Sequence, residues 1–414
     1  MEFKQAELGN GLTVIAEQME QARSMALGFF VRTGGRDEEA AVSGVSHFLE
    51  HMMFKGTKKR SPLEVNLEFD RMGAKYNAFT SEENTVYYAA VLPEYQERVL
   101  ALWADLMRPA LREEDFQTEK GVILEEIAMY KDLPHFDVLD RCRRIHFGEH
   151  RCGNSVLGTV ASIKGLEAEQ MRSYFESRYA PDNMVLACTG KVDWAKLLGQ
   201  AEELCGQWQP QKAERELSDF RGTHNRECVT KDNILREHIC LMSGAPSAQD
   251  ERHYAASILA NIVGDDTGSR LYWSLVDAAL ADNADMEYDS MDGTGVYYTY
   301  ISCDPKQADS VLEVTRETLA KVGKEGITEK ELTASKNKIA STMTLNGELP
   351  MGRLVPLGFN WIYENKYITL AEELEKLHKV DRKDIMDLLD GYPLEKATVL
   401  GLGPCTEIGG KAFS

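Results

Sequence analysis

The chain has no apolar run near the eighteen or so residues needed to cross a bilayer, and it opens without a basic stretch followed by an apolar one. With neither span nor leader to place, the expected location is cytoplasmic, with no membrane partner. Paired cysteines are missing too. The eight cysteines (142, 152, 188, 205, 228, 240, 303 and 405) stand singly with no CxxC, which argues for reduced structural thiols rather than a disulfide framework. Basic charge is scarce: 47 Lys and Arg face 67 Asp and Glu, a formal net charge of −20. Phosphate backbones need concentrated cations, so nucleic acid is not an expected partner. The acidity favours neutral or cationic ligands, although in most proteins it only provides solubility. No low-complexity or Pro/Ser-rich stretch argues for disorder.

At 414 residues the chain exceeds what one hydrophobic core usually organises, which implies two domains of roughly 200 residues. The opening MEFKQAELGNGLTVIAEQ reads as strand, Asn10-Gly11 turn, strand. Apolar periodicity then gives a strand over 25–33, helices over 39–53 and 62–73, a strand over 84–92, helices over 94–108 and from Glu113 to Met129, and a strand over 182–190. From about residue 235 a similar order recurs: a strand, helices over 249–263 and 268–280, strands near 286–304, helices over 308–323 and 328–345, and a closing strand near 396–402. The polar segment between suits a linker. The expectation is an α+β chain of two similar domains, 1–210 and 233–414, joined by 211–232.

The most informative segment is SGVSHFLEHMMFKGT, residues 43–57. His47 and His51 stand four apart on an expected helix, which puts both imidazoles on one face. Two neutral imidazoles converging on one point are half of a tetrahedral zinc site, and Glu50 projects beside them where a general base belongs. His-x-x-Glu-His is the inverted zincin motif. The apolar neighbours Phe48, Leu49, Met52, Met53 and Phe54 make two ordinary surface histidines a poor alternative. A catalytic zinc wants a third protein ligand and an open position for water. On TEKGVILEEIAMYKD, Glu119 and Glu126 lie seven apart and share one stripe, while Glu125 points about a hundred degrees aside. Acidic residues on a helix are usually a solvated face, so this helix alone does not decide.

The string HFLEHMMFKGT, with TGGRDE (33–38) before it and GAKYNAFTSEENTVYYAAVLPE (73–94) and EKGVILEEIAMYKDLP (119–134) after it, resembles the insulinase/pitrilysin zinc peptidases. The nearest likeness is to the small two-domain branch related to mitochondrial processing peptidase. It continues through SVLGTVASIKGL (155–166) and YAPDNMVLACTGKVD (179–193), strongly in the first half and loosely in the second. The resemblance implies one Zn2+ per chain on His47, His51 and Glu126, Glu50 as general base and Glu119 as supporting carboxylate. It implies that each domain is a mainly antiparallel sheet packed with helices, that the second holds no metal, and that Asn77, Ala78, Phe79 and Thr80 form an edge strand on which an extended peptide lies. Asn77 could equally be a turn residue. The implied activity is hydrolysis of peptides or short unfolded segments in a chamber, by a homodimer or a heterodimer with a related chain.

One part of the pattern is missing. Active members usually place an Arg and a Tyr seven residues apart after a Ser-Arg-Leu turn. Here GDDTGSRLYWSLV (264–276) is followed by Asp277 where the Arg belongs and by Ala284 near the Tyr position. Tyr288, Tyr297 or Arg270 could stand in, a partner chain could supply the pair, or the protein could bind peptides without cutting them. Of these, Tyr288 is the expected substrate-binding residue. The intact zinc motif favours an active peptidase over a non-catalytic assembly subunit.

Overall fold

The structure is a computed structural model that describes residues 1–215 and 217–409. It is an α+β chain that divides into two compact units, neither contiguous in sequence. The first comprises Met1–Ile127, Asn154–Glu216 and Thr344–Leu370; the second comprises Ala128–Gly153, Leu217–Met343 and Ala371–Ser414. The sequence reading places its boundaries instead at 210 and 233.

The first unit carries six strands: β1 (Glu2–Glu7), β2 (Thr13–Gln18), β3 (Met25–Val31), β4 (Lys75–Thr80), β5 (Thr85–Val91) and β6 (Met184–Gly190), in the order β1-β2-β6-β3-β5-β4. All pairs are antiparallel except β2 with β6. Strand β3 is an unbroken apolar run because both of its faces are covered. Leu27, Phe29 and Val31 enter the main core beside the helix Val45–Met53, while Ala26 and Phe30 meet Leu354 and Leu357 of the helix Pro350–Glu364. A Cβ on Gly358 would stand 2.3 Å from the Phe30 ring, so only glycine lets that helix lie so close to the sheet. Arg353 then reaches Glu17 with two parallel bonds, at 2.9 and 2.7 Å, both side chains being almost fully buried.

The second unit repeats this topology with one strand fewer. Its strands are β7 (Arg226–Thr230), β8 (Glu237–Gly244), β9 (Asn283–Ser290), β10 (Gly295–Cys303) and β11 (Ala397–Gly403), in the order β7-β11-β8-β10-β9. Taken in chain order, β7 to β11 occupy the places of β2 to β6, and β7–β11 is the single parallel pair, as β2–β6 is in the first sheet. Residues 226–230 of the expected linker are therefore a strand; its polar, half-exposed sequence carries no alternation that would announce it. The helix Pro134–Phe147 covers one face of this sheet through Val138 and Cys142, against Cys240, Met242, Leu400 and Leu402. The helix expected over 268–280 shrinks to a short turn. Its last part, Tyr272–Val276, is π-helical, and Ala279 ends it with φ 57°.

All eight cysteines are free thiols. Among the described residues no helix is long and apolar enough to cross a membrane.

Candidate metal centre

The helix Val45–Met53 begins at Gly44, whose φ of 90° suits glycine and where a Cβ would stand 2.6 Å from the Leu157 carbonyl oxygen. Glu38 accepts the backbone N–H groups of Gly44 and Ser46 at 2.6 and 2.7 Å, which satisfies two donors that the first turn leaves open. Val45, Phe48, Leu49, Met52 and Met53 sink into the core, so His47, Glu50 and His51 share the remaining stripe. The helix Glu113–Asp132 packs beside it, with the Phe116 ring stacked on Phe48 at 4.7 Å. That contact sets the register at which Glu119, Ile123 and Glu126 follow one another toward the histidines.

One ligand atom each from His47, His51 and Glu126 lies within 4.8 Å of the others. Glu126 Oε2 stands 3.5 Å from His51 Nε2 and 3.8 Å from His47 Nε2. These separations are too long for hydrogen bonds and close to the ~3.3 Å edge of a tetrahedron with ~2 Å metal–ligand bonds. Glu126 Oε2 is buried and accepts no hydrogen bond among the described residues. A buried carboxylate oxygen facing two imidazoles and no donor is incomplete without a cation. Two imidazoles and a carboxylate suit zinc.

The surrounding groups do not act on the three ligands alike: burial holds the His47 ring neutral, whereas at His51 burial is outweighed by the bond to Glu119 and the charges of Glu126, Glu119 and Glu50, which raise its pKa, and burial raises that of Glu126. Burial, with the His51 charge in second place, pulls the His47 pKa down to about 3, so its ring stays neutral. His51 Nδ1 lies 2.9 Å from Glu119 Oε1, and Lys55 Nζ lies 2.5 Å from Glu119 Oε2. Burial alone would raise the Glu119 carboxyl, but the bonds from His51 and Lys55 outweigh it and hold it below its ordinary range. An ionised Glu119 can only accept, so Nδ1 carries the hydrogen and Nε2 is the nitrogen that would present its lone pair to a bound cation. Glu50 Oε2 accepts from Thr80 Oγ1 at 2.6 Å, and burial raises its pKa above the usual carboxylate value.

Asn77, Ala78, Phe79 and Thr80 all lie in β4, the edge strand of the first sheet, so Asn77 is a strand residue rather than a turn. Ala78 turns into the main core, whereas the Phe79 ring meets Tyr88 and Phe359 on the opposite face. The proposed stand-ins belong to the second unit. Tyr288 sits on the edge strand β9 with its hydroxyl donating to the Pro246 carbonyl at 2.8 Å. Arg270 is taken up by a two-point pair with Glu331 at 2.8 and 3.0 Å and by the Gly326 carbonyl, and Tyr297 is a fully buried core residue. Lys55 and the Thr80 hydroxyl escape a reading by motif. Lys55 lies one residue beyond the helix cap, and the Thr80 contact joins residues 30 apart.

Residues 13–160 match the family model for insulinase (peptidase family M16), and residues 165–339 match the model for the M16 inactive domain. The chain is 31% identical to the zinc protease YmxG of Bacillus subtilis over 92% of this chain and 93% of that one. The chain belongs to the M16 peptidase family. An M16 relative from Streptomyces coelicolor, also named a zinc protease, is 29% identical over 92% of this chain and 85% of its own length. Both of these relatives are otherwise uncharacterized. The M16 fold is shared with a protease from Helicobacter pylori (TM-score 0.90, 21% identity, 97% of this chain and 99% of that one). It is also shared with a chain of Complex III2 from Candida albicans (TM-score 0.82, 16% identity, 97% of this chain and 96% of that one).

Proposed function

We propose that this M16 member is a zinc-dependent endopeptidase that hydrolyses peptides or short unfolded segments. The observation that carries this reading is the convergence of His47, His51 and Glu126 around a buried oxygen without a donor, with Glu50 one helical step away. His47, His51 and Glu126 would hold one zinc ion. Bound there, zinc supplies Lewis acidity that brings the pKa of a water toward neutrality and polarises a carbonyl.

The remaining work falls to side chains of this chain. Glu50 takes a proton from the attacking water and returns it to the leaving amine, and its raised pKa suits a group that must both accept and release. Glu119 keeps His51 in one tautomer. Strand β4 offers unpaired backbone groups along its outer edge, on which an extended peptide can pair without regard to its sequence.

Purified protein should cleave a mixed peptide library, lose this activity to a chelator, and regain it with zinc. Glu50→Gln should lower kcat by about 10²- to 10⁴-fold while about one zinc per chain stays bound. Zinc binding without cleavage by the chain alone would favour a second reading, prompted by Asp277 and Ala284: a heteromeric peptidase whose partner supplies the Arg and Tyr.

A further inference from the structure

We infer that Thr80 is a positioning residue for the general base: its hydroxyl fixes the Glu50 carboxylate, so that the strand offered to the substrate also orients the group that activates water. The inference rests on the endopeptidase reading and adds a role for a side chain whose backbone alone had an expected use.

A glutamate has three rotatable bonds and, at a half-buried site, several rotamers to choose from. Thr80 Oγ1 lies 2.6 Å from Glu50 Oε2, the short distance of a hydroxyl donating to a carboxylate. Glu50 can only accept when ionised, so the hydroxyl is the donor. The bond engages Oε2 and so fixes the orientation of the whole carboxylate. The threonine itself is well held. It closes β4 opposite Thr85 of β5, and the turn after it is tied by Ser81 N–H to the Asn84 carbonyl at 2.8 Å. Asn84 Nδ2 donates to the Tyr363 hydroxyl at 2.8 Å, and that hydroxyl donates to Glu83 at 2.9 Å. Strand alternation puts Thr80 on the face of Ala78, toward the helix that carries Glu50, and away from Phe79. A small error in the placement of a catalytic group is enough to cost a large factor in rate.

The test uses the full zinc-loaded chain with Thr80→Val, which keeps the shape and removes the donor, and Thr80→Ser, which keeps the donor. Thr80→Val should lower kcat by about 10- to 100-fold with KM and zinc content within twofold of wild type, and Thr80→Ser should recover most of kcat. A rise in KM with kcat unchanged, or equal losses in both variants, would overturn the inference. A crystal structure of zinc-loaded Thr80→Val gives a readout independent of turnover. The Glu50 carboxylate should leave its wild-type position; finding it unmoved would refute the role. Should wild type cut no peptide, the endopeptidase reading fails, and this comparison still decides whether Thr80 holds Glu50.

Discussion

Replacing Glu119 by Gln removes one oxygen's charge from the site and little else, because the two side chains have nearly the same shape. In the native chain Glu119 Oε1 faces His51 Nδ1 at 2.9 Å and its carboxylate is 4% exposed, so water cannot take its place. A bond to a charged group contributes about 1.5–3 kcal/mol where a neutral one contributes about 0.5–1.5, which sets the direct loss near 1–1.5 kcal/mol. The amide also removes the reason for one tautomer, since it presents N–H as readily as C=O. With its Nδ1 no longer committed to carry the hydrogen, His51 offers its Nε2 lone pair only part of the time. Outer partners of this kind typically change metal affinity by about 10- to 100-fold, equivalent to about 1.4–2.7 kcal/mol. Competition against a chromophoric chelator measures the zinc Kd directly, whether or not peptide is cut. Glu119→Gln should raise that Kd by about 10- to 100-fold. Lys55→Met should raise it by less than about fivefold, because the Lys55 side chain is about a third exposed and a pair of that kind contributes about 0.2–1 kcal/mol. An unchanged Kd in Glu119→Gln, or a larger loss in Lys55→Met, would refute the assignment of tautomer control to Glu119.

Three further outcomes are expected. Arg353→Met leaves Glu17 buried without its cation and should cost about 3–5 kcal/mol in urea unfolding of the first unit, much of it regained in the Glu17→Met/Arg353→Met double variant. His146 in the second unit is fully buried, and burial, followed by the charges of His224 and Arg143, lowers its pKa to about 4. The unfolded chain therefore takes up that proton first. Stability is full above about pH 6.5 and falls as pH drops toward 4, by up to about 3 kcal/mol; calorimetry from pH 7 to 4.5 should show a slope that flattens in His146→Gln. We also propose a dimer, for which light scattering should return twice the chain mass. A stable monomer would remove that claim and leave the metal centre as described.

How much of this was legible depends on how local each feature is. The His47, Glu50 and His51 stripe follows from helical spacing over five residues, and Glu126 shares a stripe with Glu119 for the same reason. Strands β3, β8 and β11 announce themselves as short apolar runs. The return of Pro350–Glu364 to the first unit does not, because it rests on Gly358 beneath Phe30 and on a pair between Arg353 and Glu17, 336 residues apart. Nothing local distinguishes that helix from one belonging to the second unit. The edge strand β7 is hidden for the opposite reason: its partner β11 lies about 170 residues on, and its own sequence is polar.

The absence of the expected Arg and Tyr bears on activity differently from the presence of the metal ligands. Asp277 and Ala284 remove groups that act on substrate, and such groups can come from elsewhere in a chain or from another chain. The ligand set cannot be lent in this way, since His47, His51 and Glu126 must converge within one unit. It is also costly to keep without use. A buried Glu126 oxygen that meets no donor among the described residues opposes folding unless a cation is bound. Removal of zinc should accordingly lower the thermal midpoint of the first unit, and Glu126→Gln should reduce that dependence while weakening zinc binding. A chain that kept this fold only as scaffold would be more stable with apolar residues at these three positions. Two imidazoles and a carboxylate around one point are the physical argument for the proposed zinc chemistry.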